Sequence, residues 1–135
     1  MFKGRVFTKN DYERLCSIMN NVHMIYQLEE GSVETLKREM RQSRLVDPRD
    51  IRPNIVTMNS RICLKNIGNG RKEIFSLVFP EKSDSEDSLS VFSRIGTQVI
   101  GNPIGTVVKV NHSGEQYLMI EDILYQPESA GDYHL

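Results

Sequence analysis

The fold is decided by the stretch Arg61-Ile62-Cys63-Leu64-Lys65-Asn66-Ile67-Gly68-Asn69-Gly70 and by the second apolar run that follows it from Lys72 to Phe79. Both runs are rich in apolar and β-branched residues, which is typical of strands. Asn and Gly accept the positive φ angles of a tight turn, so Asn66–Gly70 is expected to reverse the chain. The stretch therefore predicts a β-hairpin that Pro80 terminates.

Shorter apolar runs on both sides of this hairpin predict the rest of a β-domain. Ile55–Met58 is predicted as a strand that Asn59-Ser60 kinks, and Glu81–Ser88 as a solvated acidic loop. The later elements are a strand at Leu89–Val91, a short helix at Ile95–Ile100 closed by Gly101, a turn at Asn102–Gly105, and strands at Val107–Val110 and Gln116–Leu124 joined at His112–Glu115. We therefore expect an antiparallel sheet of about four or five strands with one short helix packed on it.

The first fifty residues carry a helical pattern instead. Thr8 is placed to cap a helix whose apolar face comprises Tyr12, Leu15, Ile18, Met19, Val22, Ile25 and Tyr26. Gly31-Ser32 interrupts the pattern, and a second helix with Val33, Leu36 and Met40 facing inward is expected to stop before Asp47-Pro48. The sequence thus predicts an α+β chain, with a short antiparallel helical hairpin over residues 1–50 and a β-domain over residues 53–135.

Composition excludes several classes of function. The chain of 135 residues has 17 Lys and Arg against 18 Asp and Glu, so its formal net charge of −1 exerts no long-range attraction on nucleic acid. We expect a protein partner and no sequence-specific nucleic-acid binding. No apolar run approaches the roughly 20 residues that span a bilayer, and the N-terminus lacks a signal-peptide pattern, so a cytoplasmic location is expected. Cys16 and Cys63 form no CxxC pair, and His23, His112 and His134 are widely separated, so no metal site or cofactor is expected.

Three motifs resemble a known family. They are Val56-Thr57-Met58-Asn59-Ser60-Arg61, the block Leu89-Ser90-Val91-Phe92-Ser93-Arg94-Ile95-Gly96 with Val99-Ile100-Gly101 and Gly105 behind it, and the final Tyr125-Gln126-Pro127-Glu128-Ser129-Ala130-Gly131-Asp132-Tyr133. Together they resemble the bacterial "regulator of nucleoside diphosphate kinase" family within the Gre-type transcription factors. The resemblance implies a β-domain similar to the FK506-binding-protein fold, and attachment to RNA polymerase beside its secondary channel. The chain has no GxxxxGK[ST] phosphate-binding loop, so a kinase activity is not expected.

The resemblance also implies where the partner binds. In Gre-type domains the segment that matches Phe92, Ser93, Arg94, Ile95 and Gly96 faces the polymerase, although Arg94 stands where Pro is common. If exposed, Phe92 and Ile95 would serve as apolar anchors and Arg94 as a charged one; the alternative is that Phe92 and Ile95 belong to the core.

The tip of the hairpin is the candidate for chemistry. Gre cleavage factors carry two acidic residues at the tip of a long coiled coil, where they help to hold a catalytic magnesium ion. Here Glu29, Glu30 and Glu34 make the tip acidic, but the Asp-x-x-Glu spacing is missing and the arms reach only roughly 30 Å and 20 Å. We therefore expect a non-enzymatic regulator without catalytic residues that grips the channel rim and does not cleave RNA.

Three alternatives stay open at this point. The acidic tip is a solvated helix end without a partner, or the chain is a cleavage or anti-pausing factor, or it is a stand-alone binding module with isomerase-like properties. An isomerase pocket needs an aromatic lining, which a chain with no Trp and 7% aromatic residues does not favour. The last motif contains Pro127, Gly131 and two tyrosines, so Tyr125 and Tyr133 are expected to pack against the β-domain or the hairpin base.

Overall fold

The computed structural model describes residues 4–20, 32–83, 85–110 and 116–135. Within these residues the chain is α+β, as predicted, with a curled mixed sheet and helices packed on it. No helix in the described ranges is long and apolar enough to cross a membrane. The elements in chain order are β1 (Val6–Thr8), α1 (Lys9–Met19), α2 (Ser32–Arg41), β2 (Arg44–Val46), β3 (Arg61–Asn66), β4 (Lys72–Val78), β5 (Ser88–Ser90), α3 (Arg94–Val99), β6 (Val107–Lys109), β7 (Tyr117–Tyr125) and α4 (Pro127–Ala130).

Helix α1 begins where the sequence predicts. The Thr8 side chain accepts a hydrogen bond from the Asp11 amide at 3.1 Å, which satisfies one of the free donors of the first turn. Leu15 and Met19 are buried on its inner face, and Tyr12 and Ile18 pack against the core from its edge. The further apolar positions from Val22 to Tyr26 lie outside the described residues.

Helix α2 also carries the expected face, since Val33, Leu36 and Met40 are all buried. It ends at Arg41, and the chain then enters β2. The loop that would join the two helices lies outside the described residues, so the antiparallel hairpin stays a prediction.

A two-stranded parallel sheet, which the sequence did not predict, lies beside the two helices. β1 pairs with β2 in the register Val6↔Arg44, Phe7↔Leu45 and Thr8↔Val46. The Val6 amide also donates to the Gly101 carbonyl at 3.0 Å, which ties β1 to the end of α3. Phe7 is buried, so this small sheet connects the helices to the β-domain.

The main sheet has the strand order β5-β4-β3-β7-β6. The predicted hairpin is confirmed: β3 and β4 are antiparallel, and the Asn66 side-chain oxygen accepts from the amides of Gly68 and Asn69 at 2.9 and 3.2 Å. The prediction of a purely antiparallel sheet is wrong, because β5 runs parallel to β4. The chain turns at Pro80–Lys82 after β4, and β5 then pairs in the register Ser76↔Ser88, Leu77↔Leu89 and Val78↔Ser90.

The prediction of a strand at Ile55–Met58 is also wrong. Ile55 makes an isolated bridge to Pro103, and the residues after it turn instead of forming a ladder. Asn59 adopts a φ of 65°, and the Ser60 hydroxyl accepts from the Thr57 amide at 3.0 Å. Side-chain hydroxyls that bond the local backbone compete with strand pairing, so the segment is buried but irregular.

One hydrophobic core runs through helices and sheet. It includes residues of β1, of the helices α1, α2 and α3, of the strands β3, β4 and β7, and of the segments that connect them, among them Phe7, Leu15, Leu36, Met58, Ile62, Leu64, Leu77, Phe92, Val99, Ile100 and Ile120. The expectation that Tyr133 packs inward is wrong, because its side chain is 45% exposed. Tyr125 does bond within its own segment, where its hydroxyl donates to the Asp132 carboxylate.

Candidate functional site

The segment Phe92–Gly96 forms the entry to helix α3. The Ser93 hydroxyl accepts from the Gly96 amide at 3.0 Å and donates to the Ser90 carbonyl at 2.7 Å. This capping fixes the first turn of the helix against the end of β5. Ser93 therefore shapes the segment from within.

The five predicted site residues divide by burial. Phe92 is 1% exposed and belongs to the core, and Gly96 is buried against the Ser90 carbonyl. Arg94 and Ile95 are partly exposed at the start of α3. Arg94 and Ile95 therefore reach solvent at the helix start, together with the capping residue Ser93.

Ile95 also lines a cavity of about 220 Å³ between α3 and the concave side of the sheet. Its floor is apolar, with Leu64, Phe75 and Leu118, and its rim carries amide and charged groups, including Arg71 and Glu73. A cavity of this size and lining is suited to one apolar side chain of a partner, oriented by polar groups around it. Within the described residues, no group of three or more His, Cys, Asp or Glu side chains could hold a metal ion.

Arg5 holds the other end of α3, which sequence reasoning missed. Its guanidinium donates to the carbonyl oxygen of Thr97 and to that of Ile100 at 3.3 Å, and its Nε lies 3.9 Å from a Glu39 carboxylate oxygen on α2. Burial lowers the pKa of Arg5, and the neighbouring Glu39 opposes that shift. A cation at a helix C-terminus satisfies carbonyls that have no intrahelical partner. No local pattern in the sequence signals this contact, because 92 residues separate Arg5 from Thr97.

Only one of the three predicted tip residues lies among the described residues. Glu29 and Glu30 lie outside the described residues, whereas Glu34 is exposed in the first turn of α2. An acidic side chain there interacts favourably with the helix dipole.

Comparison with known proteins decides the family. Residues 40–125 match the family model described as "Transcription elongation factor, GreA/GreB, C-term", which covers well over half of the chain and all strands of the main sheet. The chain belongs to the GreA/GreB family. The predicted resemblance to Gre-type transcription factors is thereby confirmed.

Individual relatives agree with this Gre-type assignment. The chain is 32% identical over 105 residues to the "Regulator of nucleoside diphosphate kinase" of Escherichia coli, a match that covers 76% of this chain and 77% of the relative. It is 32% identical over 82 residues to the "Transcription elongation factor GreA" of Syntrophomonas wolfei, which covers 60% of this chain and 52% of that one.

A solved structure supports the Gre-type fold as well. A "Prokaryotic transcription elongation factor GreA/GreB from Nitrosomonas europaea" superposes with a TM-score of 0.75 at 22% identity, covering 91% of this chain and 99% of that chain. Fold similarity therefore extends beyond the family-model match and into the N-terminal helices.

Proposed function

We propose that this Gre-type chain is a cytoplasmic transcription regulator that binds RNA polymerase at the rim of the secondary channel and does not stimulate transcript cleavage. Membership of the GreA/GreB family supports the partner. The similarity to a protein named as a regulator, over 77% of that protein's length, supports a regulatory role. The proposal keeps the predicted division into a helical hairpin over residues 1–50 and an FK506-binding-protein-like domain over residues 53–135.

The position of the core residues in α1 and α2 carries the part of the proposal that concerns cleavage. Met19 is 3% exposed and Val33 is 6% exposed, so both are anchored in the core. Only the thirteen positions from 20 to 32 lie between them. Covalent geometry limits an out-and-back excursion of this length to about 25 Å, and two helical arms of the same length would reach about 10 Å. A probe this short is suited to a contact at the rim and not to a long channel.

The proposed contact surface has two parts. Arg94 and Ile95 offer a cation and a partly exposed aliphatic side chain. Ser93 caps the helix that carries them, and Phe92 and Gly96 are buried at the same helix start. Glu29, Glu30 and Glu34 are proposed to touch the rim without holding a metal ion. Arginine is one of the residues that most often carry binding energy at protein interfaces.

Binding to core RNA polymerase tests the partner. We expect Ile95→Glu to weaken the wild-type affinity about tenfold or more, since it places a charge in an apolar contact. Leu45→Glu is the matched control: Leu45 is 43% exposed on β2, and its replacement should leave the affinity unchanged. Circular dichroism establishes that both variants are folded. Failure of the wild-type chain to bind at low micromolar concentration and low salt would refute the proposal.

Stalled elongation complexes test the absence of cleavage. We expect that the chain releases no short 3′ RNA fragments. When a cleavage factor is also present, we expect the chain to inhibit its cleavage activity, and to do so more strongly as more polymerase carries the chain at its channel rim. The second candidate is a Gre-like factor that stimulates cleavage or relieves pausing, which the similarity to GreA favours. Fragment release that disappears in Glu29→Ala plus Glu30→Ala would establish that candidate instead.

A further inference from the structure

Two of the three family motifs meet away from the candidate contact surface. The Thr57 hydroxyl, from the first motif, donates to a Glu128 carboxylate oxygen of the last motif at 2.7 Å. The Ser60 hydroxyl lies 2.9 Å from the Thr57 hydroxyl and completes the chain of hydrogen bonds. Thr57 and Ser60 are at most 1% exposed and Glu128 is 8% exposed, so the contact is internal.

Helix α1 brings a second carboxyl group to the same place. Asp11 is 1% exposed, and its Oδ2 accepts from the Met58 amide at 3.0 Å. Met58 directly follows Thr57 in the sequence. The Thr57–Ser60 turn therefore hydrogen-bonds Asp11 of α1 through the Met58 amide and Glu128 of α4 through the Thr57 hydroxyl. The two acids belong to elements 117 positions apart in the sequence and are joined through the segment between Thr57 and Ser60.

Arg14 is the cation that contacts Asp11 in this cluster. It forms an ion pair with Asp11, donates to the main-chain carbonyl oxygen of Leu135 at 2.9 Å, and lies with its guanidinium carbon 5.2 Å from the centre of the Phe79 ring. Its Nε is buried and, in the part of the chain that the structure describes, has no hydrogen-bond partner. Arg14 is therefore positioned by its ion pair with Asp11 and its stacking on Phe79, although its hydrogen bonds are incomplete.

The electrostatics follow from this arrangement. Burial raises the pKa of Asp11, against the opposing effects of the Met58 amide and Arg14. Burial also raises the pKa of Glu128, and the negative charge of Asp11 raises it further while Arg14 lowers it. Arg14 therefore contacts Asp11 directly and acts on Glu128 through charge alone, so that its guanidinium favours the ionised form of both buried carboxyl groups.

We propose that Asp11, Arg14 and Glu128 form a proton-sensitive latch that fixes helix α1 and the C-terminal segment to the β-domain, with Arg14 as the shared counter-ion. This role is independent of polymerase binding. It explains why two motifs that supply no residue of the candidate contact surface carry polar residues in a buried position. At most one negative charge of the pair is balanced by Arg14, so the latch is tightest when a proton neutralises the other.

The direction of the pH effect is fixed by the two raised pKa values. Folding raises the pKa of each of these carboxyl groups. At a pH between the unfolded and the folded pKa, the group is therefore protonated to a greater extent in the folded state than in the unfolded state. The stability that it contributes is present below the unfolded pKa, about 4, and is lost as the pH rises through the folded pKa. Lowering the pH towards 4 therefore tightens the latch, and raising the pH through the two folded pKa values loosens it.

Other titrating groups near the latch have to be controlled. Tyr125 and Asp132 lie in the same C-terminal segment, and Glu81, Lys82 and His134 line the adjacent cleft with Arg14. His134 is the one histidine among these groups. All variants are therefore made in a His134→Gln background, and His134 is exposed, so this change should leave the fold intact.

A charge-rescue experiment tests the latch. In that background, the unfolding equilibrium of Arg14→Met is measured in urea at about pH 4.5 and about pH 8, with hydrogen exchange of the α1 and 126–131 amides as a second readout. If Arg14 lowers the pKa of the pair by about one unit, the folding equilibrium constant of Arg14→Met falls about tenfold more at the higher pH. Adding Glu128→Gln, which keeps an acceptor for Thr57, should restore most of that loss, and Arg14→Lys should retain the wild-type pH profile.

Two results would contradict the proposed latch of Asp11, Arg14 and Glu128. An equal loss at both pH values that Glu128→Gln does not rescue would show that Arg14 acts through packing on Phe79, and would overturn the proposal. If Arg14→Met does not fold, Glu128→Gln alone decides the question. It should flatten the fall in stability between about pH 4.5 and pH 8, and an unchanged profile would refute the latch.

Discussion

Gly96 of helix α3 lies so close to Ser90 of strand β5 that a Cβ atom on Gly96 would be 2.0 Å from the Ser90 carbonyl oxygen. The same Cβ would lie 2.9 Å from the Cα of Val91, so the obstacle is backbone on both sides. Backbone held in a sheet edge and a helix start cannot move aside as the end of a flexible side chain can. The glycine is thus what lets α3 approach the sheet and present Arg94 and Ile95.

Gly96→Ala is accordingly expected to destabilise the fold by about 3 kcal/mol, at the upper end of the usual cost of overpacking. Urea denaturation with far-UV circular dichroism measures the change. Gly68→Ala in the exposed β3–β4 turn is the control, since a Cβ there meets only the Asn66 side chain at 3.3 Å. Equal stability of the two variants would show that the helix can shift away from β5 at little cost.

The elements that the sequence predicts well depend on local chemistry. Thr8 caps α1 through a hydrogen bond to a residue three positions away, and the Asn66 side chain closes the β3–β4 turn in the same way. The inner face of α2 follows from helical periodicity alone. In each case the decisive partner lies within a few residues, so a pattern in the sequence is enough.

The failures come from contacts between distant residues. The strands β1 and β2 are three residues long each, and their pairing joins positions 38 residues apart, which no periodicity reveals. Ile55–Met58 has the composition of a strand, but the Met58 amide bonds Asp11 of α1 and the Thr57 hydroxyl bonds Glu128. Tertiary hydrogen bonding replaces the ladder there, and it overrides β-propensity.

The candidate site shows the same division. Its location follows from the motif around Arg94, but sequence alone cannot separate Phe92, which is buried, from Ile95, which is partly exposed. Both are apolar residues at the start of a short helix, and only the packing of α3 on the sheet distinguishes them. The role of Arg5 could not be predicted, because its side chain contacts backbone carbonyl groups that are more than 90 residues away in the sequence, and no residue spacing indicates such a contact.

Removal of the α1 cap gives a second prediction. Thr8→Ala should destabilise the chain by about 1–2 kcal/mol, because the Asp11 amide loses its acceptor in a buried place. Thermal or urea unfolding measures the loss, and Thr8→Ser serves as the control because it retains the hydroxyl. If serine is as destabilising as alanine, the methyl group of the threonine, and not its hydroxyl, supports the helix start.

The C-terminal segment gives a prediction for alkaline pH. The hydrogen bond from the Tyr125 hydroxyl to Asp132 raises the pKa of Tyr125 to about 12. A raised tyrosine pKa favours the neutral form in the folded state, so this contribution to stability is complete below pH 10 and is lost as the pH rises towards 12. An ultraviolet titration should show one late tyrosine that Tyr125→Phe removes and Asp132→Asn shifts towards an ordinary pKa. A late transition that persists in Tyr125→Phe would assign it to another residue.

Strand β6 is an edge of the main sheet, and the Gln98 side chain covers part of it. The Gln98 amide nitrogen donates to the Lys109 carbonyl at 2.7 Å, and its side-chain oxygen accepts from the Lys109 amide at 2.9 Å. One side chain thereby satisfies both backbone groups of Lys109 that point away from β7, as a neighbouring strand would. Exposed edges are sites where chains pair with one another, and Val107 on the same strand is 50% exposed.

Gln98→Ala should therefore open this edge. We expect faster hydrogen exchange at the Lys109 amide, a loss of about 1–2 kcal/mol from the missing side-chain hydrogen bonds to Lys109 and to the Arg94 carbonyl, and self-association that increases with protein concentration. Exchange by NMR and sedimentation velocity measure the first and last effects. Gln42→Ala, on an exposed residue just after α2, is the matched control and should change neither. A variant that loses stability but stays monomeric at high concentration would mean that the twist of the sheet alone protects the edge, and that Gln98 serves only to anchor α3 to β6.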